Sequence, residues 1–226
     1  MATLSMLIGP QTHPSLHIRA TSLDLPLPDS RTTSKSKDKG EIISADKMQV
    51  YEGLDIAANK ITEEEMNGVP HHHLIGILPS HADFTYTDFC CMVNEKMDDI
   101  VARKRLPIIV GCSNSYIKAL VDDEVYNFRP KYECHYLWVD VAISVLCQVS
   151  SDRVDQMVEK GLIDEDEETR AKLLKKALDE MRINSCKIAR RQVEKILALK
   201  NDEGWNIHRL DGTNVFSKHG RKSSNA

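Results

Sequence analysis

Asp46 is the residue of this chain best placed to do chemistry. It closes the run Glu41-Ile42-Ile43-Ser44-Ala45-Asp46, which reads as a short buried strand ending in a carboxylate. Open α/β sheets bind ligands at the carboxyl ends of their strands. An acid there can take a proton from an attacking group or hold a metal-bound water. The same residue serves equally well as a turn or helix N-cap acid. In a phosphate-handling protein such a strand should follow a G-x-x-x-x-G-K-[ST] loop, whose N–H groups and lysine cradle phosphate. No Gly-Lys dipeptide occurs among the 226 residues. The chain carries the acid of a phosphate site and lacks the loop that should hold the phosphate.

Three further groupings invite chemical readings. Gly111-Cys112-Ser113-Asn114-Ser115-Tyr116 is a strand-to-helix junction filled with short donors. The N–H groups of a helix start favour anions, and capping by Ser113 or Asn114 explains the same residues. Arg190-Arg191 lies on a long basic helix; two guanidinium forks suit a diphosphate, and an arginine pair also suits a solvated face. His71-His72-His73 follows Pro70, but adjacent histidines cannot all point one way, and no Cys or acid partner stands nearby. A loop with one functional histidine fits better than a metal site, and we assign no metal ligand.

Composition bounds the possibilities. The length suggests one domain or two, with ample chain for a core. A formal net charge of −4 gives no basic footprint for nucleic acid. Six cysteines at 90, 91, 112, 134, 147 and 186 show no C-x-x-C pair, so they read as reduced thiols of an intracellular protein. The longest apolar run, Leu106 to Val110, falls far short of the ~20 residues of a membrane span.

The elements that must position these groups follow from periodicity. Residues 1–39 show no sustained period, are rich in Ser and Thr, and contain only Asp24, Asp29 and Asp38 as acids. That is the composition of a transit peptide or of a disordered tail. From Gly40 the pattern becomes globular. A helix is predicted from Phe84 to Arg105, capped by Thr85 or Thr87, with Phe89, Met92, Val93, Met97, Ile100 and Val101 on its apolar stripe. Residues 106–110 form an all-apolar strand of the parallel kind. A helix opens at Asn114, a strand covers 135–141, and a helix runs on to Gly161. The acidic stretch 163–169 is a solvated turn. Glu168 to Lys200 is one long amphipathic helix with Leu173, Leu174, Ala177, Met181, Ile188, Val193, Ile196 and Leu197 on its apolar side; 205–211 is a final strand. Strands alternating with helices predict an α/β fold on a parallel sheet.

Taken in order, the motifs resemble the isopentenyltransferase family, in its plant adenylate dimethylallyltransferase branch. The resemblance rests on Ser44 to Ile56, Asn59-Lys60-Ile61-Thr62, Gly68-Val69-Pro70-His71-His72 and Ala82-Asp83-Phe84-Thr85. It continues through Arg105 to Gly111, Ser113 to Ile117, Phe128-Arg129 and Leu137-Trp138-Val139-Asp140. Arg153-Val154-Asp155, Ala189-Arg190-Arg191-Gln192 and Gly204 to Asp211 complete it. It covers about residues 40–218, leaving 219–226 as a tail. The resemblance implies a P-loop NTPase-like parallel sheet flanked by helices, here without the first strand, phosphate loop and first helix. It implies transfer of a dimethylallyl group from dimethylallyl diphosphate to N6 of the adenine of AMP, ADP or ATP, as in cytokinin biosynthesis. Asp46 matches the family's general base at the N6 amine. Ser113, Asn114 and Arg129 fall on stretches that line the substrate channel, and Arg190 or Arg191 approaches phosphate. Mg²⁺ is the implied cofactor, a monomer the implied state, and the plastid the implied location, with the cytoplasm as the alternative.

A tRNA dimethylallyltransferase is the alternative within the family. Its eukaryotic forms resemble Gly-Gly-Thr-Asn-Tyr-Tyr at the second junction and often add a zinc finger. Ser115 stands where their first tyrosine would be and no Cys/His finger is present, so tRNA is not the expected partner. A third reading is a truncated, catalytically inactive product. Ser36-Lys37-Asp38-Lys39 resembles the lead-in to the phosphate loop, yet runs straight into Gly40-Glu41-Ile42; Cys112 replaces the second glycine of a Gly-Gly pair. A missing central strand would forfeit about five buried aliphatic side chains at roughly 1.5–3 kcal/mol each. That is comparable to the ~5–15 kcal/mol stability of a whole domain. On this reading the core should be poorly packed, impairing activity.

Overall fold

The computed structural model describes residues 3–10, 40–63, 66, 72–125, 128–159 and 168–220. The chain divides into two compact units, one of Met6–Gly53 and Lys60–His135, the other of Met1–Ser5, Leu54–Asn59 and Tyr136–Ala226. The strands are β1 (Thr3–Pro10), β2 (Gly40–Ser44), β3 (His72–His73), β4 (Leu106–Gly111), β5 (Tyr132–Asp140) and β6 (Ile207–Asp211). The helices are α1 (Tyr86–Ala102), α2 (Asn114–Asp122), α3 (Phe128–Lys131), α4 (Ile143–Glu159), α5 (Glu168–Asn201) and α6 (Thr213–Gly220).

In the first unit the strand order is β3-β2-β4-β1. β2 pairs with β4 in parallel, Gly40 opposite Leu106 through Ser44 opposite Val110, and with β3 through Ile42–His72 and Ile43–His73. Two parallel partners leave β2 no edge, and its Ile43, like Ile109 of β4, is fully buried. Helix α1 packs over this layer with Phe89, Val93, Met97 and Ile100 almost wholly inside. It begins on a capping box: Thr85 accepts the Asp88 N–H, and Asp88 accepts the Thr85 N–H. It ends in a Schellman turn. The Lys104 N–H reaches the Val101 carbonyl, the Arg105 N–H reaches that of Ile100, and Lys104 takes φ 60°.

That turn aims Arg103 and Arg105 at one acid. Glu41, on the first half of β2, is 0% exposed. Arg103 grips both its oxygens, with Nη2 at 2.9 Å from Oε2; Arg105 Nη1 lies 3.2 Å from Oε1, and His73 Nε2 2.8 Å from Oε2. The cluster ties β2, β3, the end of α1 and the approach to β4 together. His73 therefore holds a buried carboxylate. His71 lies outside the described residues, and among these no three His, Cys, Asp or Glu side chains converge as a metal site.

In the second unit β5 and β6 pair in parallel, from Tyr136–Ile207 to Asp140–Asp211. Val141, Leu146 and Ala189 form its inner cluster, flanked by Val139, Ile143, Val145 and Phe216. Asp155 of α4 bonds to Arg182 of α5.

Three expectations need correction. Thr3–Pro10, within the segment read as lying outside the fold, is a strand neighbouring β4. A ladder needs only extended backbone, which the run Leu4-Ser5-Met6-Leu7-Ile8 supplies. The expected poor packing is likewise not found in the first unit, where Phe89, Met97, Ile109, Ile117 and Leu120 are at most 1% exposed. The apolar side of α5 is also rotated from the expected one. Ala189, Gln192, Ile196 and Leu199 face inward, while Met181, Ile188 and Leu197 are exposed.

The cysteines depart from expectation too. Cys147 and Cys186 are disulfide-bonded, while 90, 91, 112 and 134 are free thiols. Burial pushes the Cys90 thiol up to about 11, with Asp123 adding to the shift, so it stays protonated and inert. No helix among the described residues is long and apolar enough to cross a membrane.

Glu41→Gln should lower unfolding stability by roughly 2–4 kcal/mol, because it strips a buried anion from two arginines. Urea denaturation at neutral pH checks this, with the exposed pair partner Asp99→Asn as the near-silent control.

Candidate functional site

The parallel register of β2 and β4 brings both strand ends to one place. The Ala45 N–H donates to the Val110 carbonyl at 2.8 Å, and the Ser113 N–H donates to the Ala45 carbonyl at 3.1 Å. Gly111 makes this approach possible: a Cβ on it would stand 2.3 Å from the Ala45 carbonyl carbon and oxygen. Only glycine fits there. The first glycine of the junction is thus dictated by packing.

On this platform the segment 44–49 folds over on itself. Asp46 Oδ1 accepts the Met48 N–H at 2.9 Å, an Asx turn. Its Oδ2 accepts the Cys112 thiol at 3.2 Å. Ser44 Oγ donates to Gln49 Oε1 at 2.9 Å and takes the Asp46 N–H at 3.4 Å. Asp46 is half-buried, while Lys47 and Met48 face solvent. The result is a carboxylate fixed at a strand end by two donors, with an open side. Such a group can accept a proton from a bound amine.

Ser113 stands at the N-cap position of α2 but does not cap it. Its Oγ accepts the Lys47 N–H instead, at 3.0 Å, so the hydroxyl ties the Asp46 loop to the helix start. Asn114, the first residue of α2, is 3% exposed. Tyr116 Oη donates to the Phe84 carbonyl at 3.1 Å and locks α2 against the lead-in of α1.

The structure brings Asp46, Ser113 and Asn114 together and leaves Arg129 elsewhere. Arg129 sits on α3, its Nη2 at 3.1 Å from Asp122 Oδ1, at the far end of α2. The nine residues of α2 put about 12 Å between the two ends. Arg190 and Arg191 belong to the other unit. There Arg190, Val193 and Glu194 of α5 line a cleft of about 330 Å³ with Asp140, Val141, Ala142 and Ile143. Asp140 closes the end of β5 and is held by Arg209, whose Nε lies 2.6 Å from Oδ2. Arg191 is exposed. Sequence reasoning did not find Cys112 as a partner of Asp46. The signal was its place beside Ser113, in the junction already singled out.

The model of the IPP transferase family matches residues 49–129. An adenylate isopentenyltransferase of Arabidopsis thaliana, named as chloroplastic, is 42% identical over 81% of this chain and 65% of its own length. A second from Arabidopsis, also chloroplastic, is 41% identical over 82% of this chain and 67% of itself. The adenylate isopentenyltransferase of Humulus lupulus is 33% identical over 78% of this chain and 73% of itself. The chain belongs to the isopentenyltransferase family. It spans just under two thirds of the length of the first of these relatives. Among solved structures, a tRNA isopentenylpyrophosphate transferase of Bacillus halodurans matches at 27% identity. Its TM-score is 0.62, over 82% of this chain and 86% of that one. A eukaryotic dimethylallyltransferase acting on tRNA shares the fold, with TM-score 0.65 at 18% identity.

Gly111→Ala should cost about 1–3 kcal/mol, since neither backbone can yield without breaking the Ala45–Ser113 bond. Cys112→Gly should cost far less. Paired denaturation curves of the two variants check the difference.

Proposed function

We propose that this chain carries the acceptor half of an adenylate dimethylallyltransferase. The observation behind the reading is Asp46, fixed at the β2 end by the Met48 N–H and the Cys112 thiol. In this reading the N6 amine of AMP, ADP or ATP donates to Asp46. The amine nitrogen bonds to C1 of dimethylallyl diphosphate, the C1–oxygen bond breaks, and the N6 proton passes to the Asp46 carboxylate. Ser113 and Asn114 line the same strand end. Arg190 or Arg191, in the other unit, is offered as a phosphate contact on the family resemblance alone; Arg129, held at Asp122, is the weakest of the assignments. Mg²⁺ enters as the counter-ion of the diphosphate. Among the described residues no three His, Cys, Asp or Glu side chains converge to hold it, and no step is routed through it.

Departure of diphosphate needs charge neutralised at the leaving oxygens by preorganised donors. Without a G-x-x-x-x-G-K-[ST] run, the chain lacks the usual source of them. We therefore expect turnover to be impaired. Loss of one such donor costs ~10²–10³ in rate at comparable sites. A tRNA acceptor is the second reading, favoured by the Bacillus halodurans likeness and disfavoured by the net charge of −4.

The test is purified protein with dimethylallyl diphosphate, Mg²⁺ and either AMP, ATP or tRNA, assayed for N6-prenylated product beside a variant with a phosphate loop inserted before Gly40. The loop-bearing protein should be the faster by at least ~10²-fold, on free nucleotide rather than tRNA. In it, Asp46→Asn should lose ~10²–10⁴ in rate. Retention of more than half the rate would remove Asp46 as the base.

The plastid is the proposed location, in keeping with the relatives named as chloroplastic, although another relative is named as mitochondrial. A fluorescent fusion to residues 1–39 should enter plastids of leaf cells. Diffuse cytosolic signal would leave the cytoplasmic alternative.

A further inference from the structure

The only disulfide among the described residues joins the two helices that line the cleft of the second unit. Cys147 of α4 and Cys186 of α5 are 39 residues apart in sequence, with their Cα atoms 5.1 Å apart. That spacing lies in the ordinary range for a cystine. Cys147 is one helical turn beyond Ile143, and Cys186 is one turn before Arg190; both Ile143 and Arg190 line the cleft. A turn rises about 6 Å over four residues, so the covalent bond sits directly behind the two walls. Leu146 and Ala189, the neighbours of the cystine toward the cleft, belong to one buried cluster with Val141. Both cysteines are half-buried rather than enclosed, so a reagent can reach their sulfurs.

We propose that Cys147 and Cys186 form a reversible thiol–disulfide site whose state sets the rigidity of the Asp140–Arg190 cleft. Its reaction partner is a dithiol, of protein or small-molecule kind. One thiolate of the partner attacks Cys147 or Cys186, releasing the other cysteine and forming a mixed disulfide. The partner's second thiol resolves that bond. Two electrons and two protons pass to the chain, which gains two thiols, and the partner leaves as a disulfide. Oxidation runs the same exchange backwards, with a disulfide as acceptor. With the bond in place the α4 start and the middle of α5 cannot separate. With it reduced they are held by side-chain packing and by polar contacts that include the Asp155–Arg182 pair. Any consequence for a diphosphate at Arg190 rests on the function proposed above; the cross-link does not.

The experiment uses the full chain, trapped with N-ethylmaleimide and mapped by mass spectrometry without reductant, then followed by hydrogen exchange before and after dithiothreitol. The expected result is a linked Cys147–Cys186 peptide pair. Reduction should raise exchange about tenfold or more in residues 143–150 and 186–196, and leave residues 89–100 of α1 unchanged. Cys147→Ser/Cys186→Ser should show the reduced pattern without reductant and no response to it. Where that variant does not fold, reduction of the unaltered chain carries the comparison. Full alkylation of both cysteines after treatment with oxidised dithiothreitol overturns the proposal, as does exchange that reduction leaves unchanged. Inorganic pyrophosphate separates the two readings. Slowed exchange in residues 186–196 supports Arg190 as a phosphate contact. No slowing in either redox state removes that contact while the cross-link stands.

Discussion

The parallel register of β2 against β4 is the constraint on which the first unit depends. A slip of one residue would turn Ile43 and Ile109 from the core face to the other face. Both are fully buried, so the register is strongly specified. Its two ends are secured by different physics. At the start, Glu41 is held by Arg103, Arg105 and His73. At the finish, Gly111 lets the Ala45 carbonyl come within bonding reach of the Ser113 N–H. The first is electrostatic, the second steric, and the Asp46 loop hangs from the second.

A buried acid among cations is a costly way to hold a strand unless its lone pairs are filled. Here both oxygens of Glu41 have charged partners, and those partners keep one side in water: Arg103 is 37% and Arg105 31% exposed. Glu41 gives up its hydration entirely, and the Nη1 of Arg105 beside it is buried as well. The Schellman turn makes this work, because Lys104 in the left-handed region sends the chain back while its two arginine neighbours reach the same carboxylate. The arrangement explains why a 17-residue helix stops where it does, with no glycine or proline at its end.

Much of this was legible before any coordinates. The helix of α1, its Thr85 cap, the strand at 106–110 and the start of α2 at Asn114 follow from period and capping chemistry, and the structure agrees within a few residues. What was not legible depends on contacts distant in sequence. Nothing local marks Glu41 as the buried acid; its partners lie 32 to 64 positions away. The two-residue β3 is too short to show a period, and it forms because His72 and His73 find β2 beside them. The inward face of α5 was misjudged because the helix is apolar on more than one side, and only its packing partners select Ala189, Ile196 and Leu199. Asp46 was legible, because a strand-end acid leaves a pattern. Its Cys112 partner, 66 positions away, was marked only by its place beside Ser113 in the junction.

Among the described residues, the contacts that orient Asp46 come from residues 44–49 and 111–113. These described contacts include no phosphate-loop residue. Acid and phosphate cradle are therefore separable in folding, though catalysis by such a site would need both. A cradle acts on charge that develops as the diphosphate departs, whereas the base acts on the amine that attacks. An enzyme of this kind that loses its cradle keeps the means to recognise an amine and loses the means to release the leaving group. Loss of that kind should appear mainly in turnover rather than in binding of the acceptor. The ordering of the Asp46 loop on its own platform is thus compatible with a chain that binds adenine nucleotide and turns it over slowly.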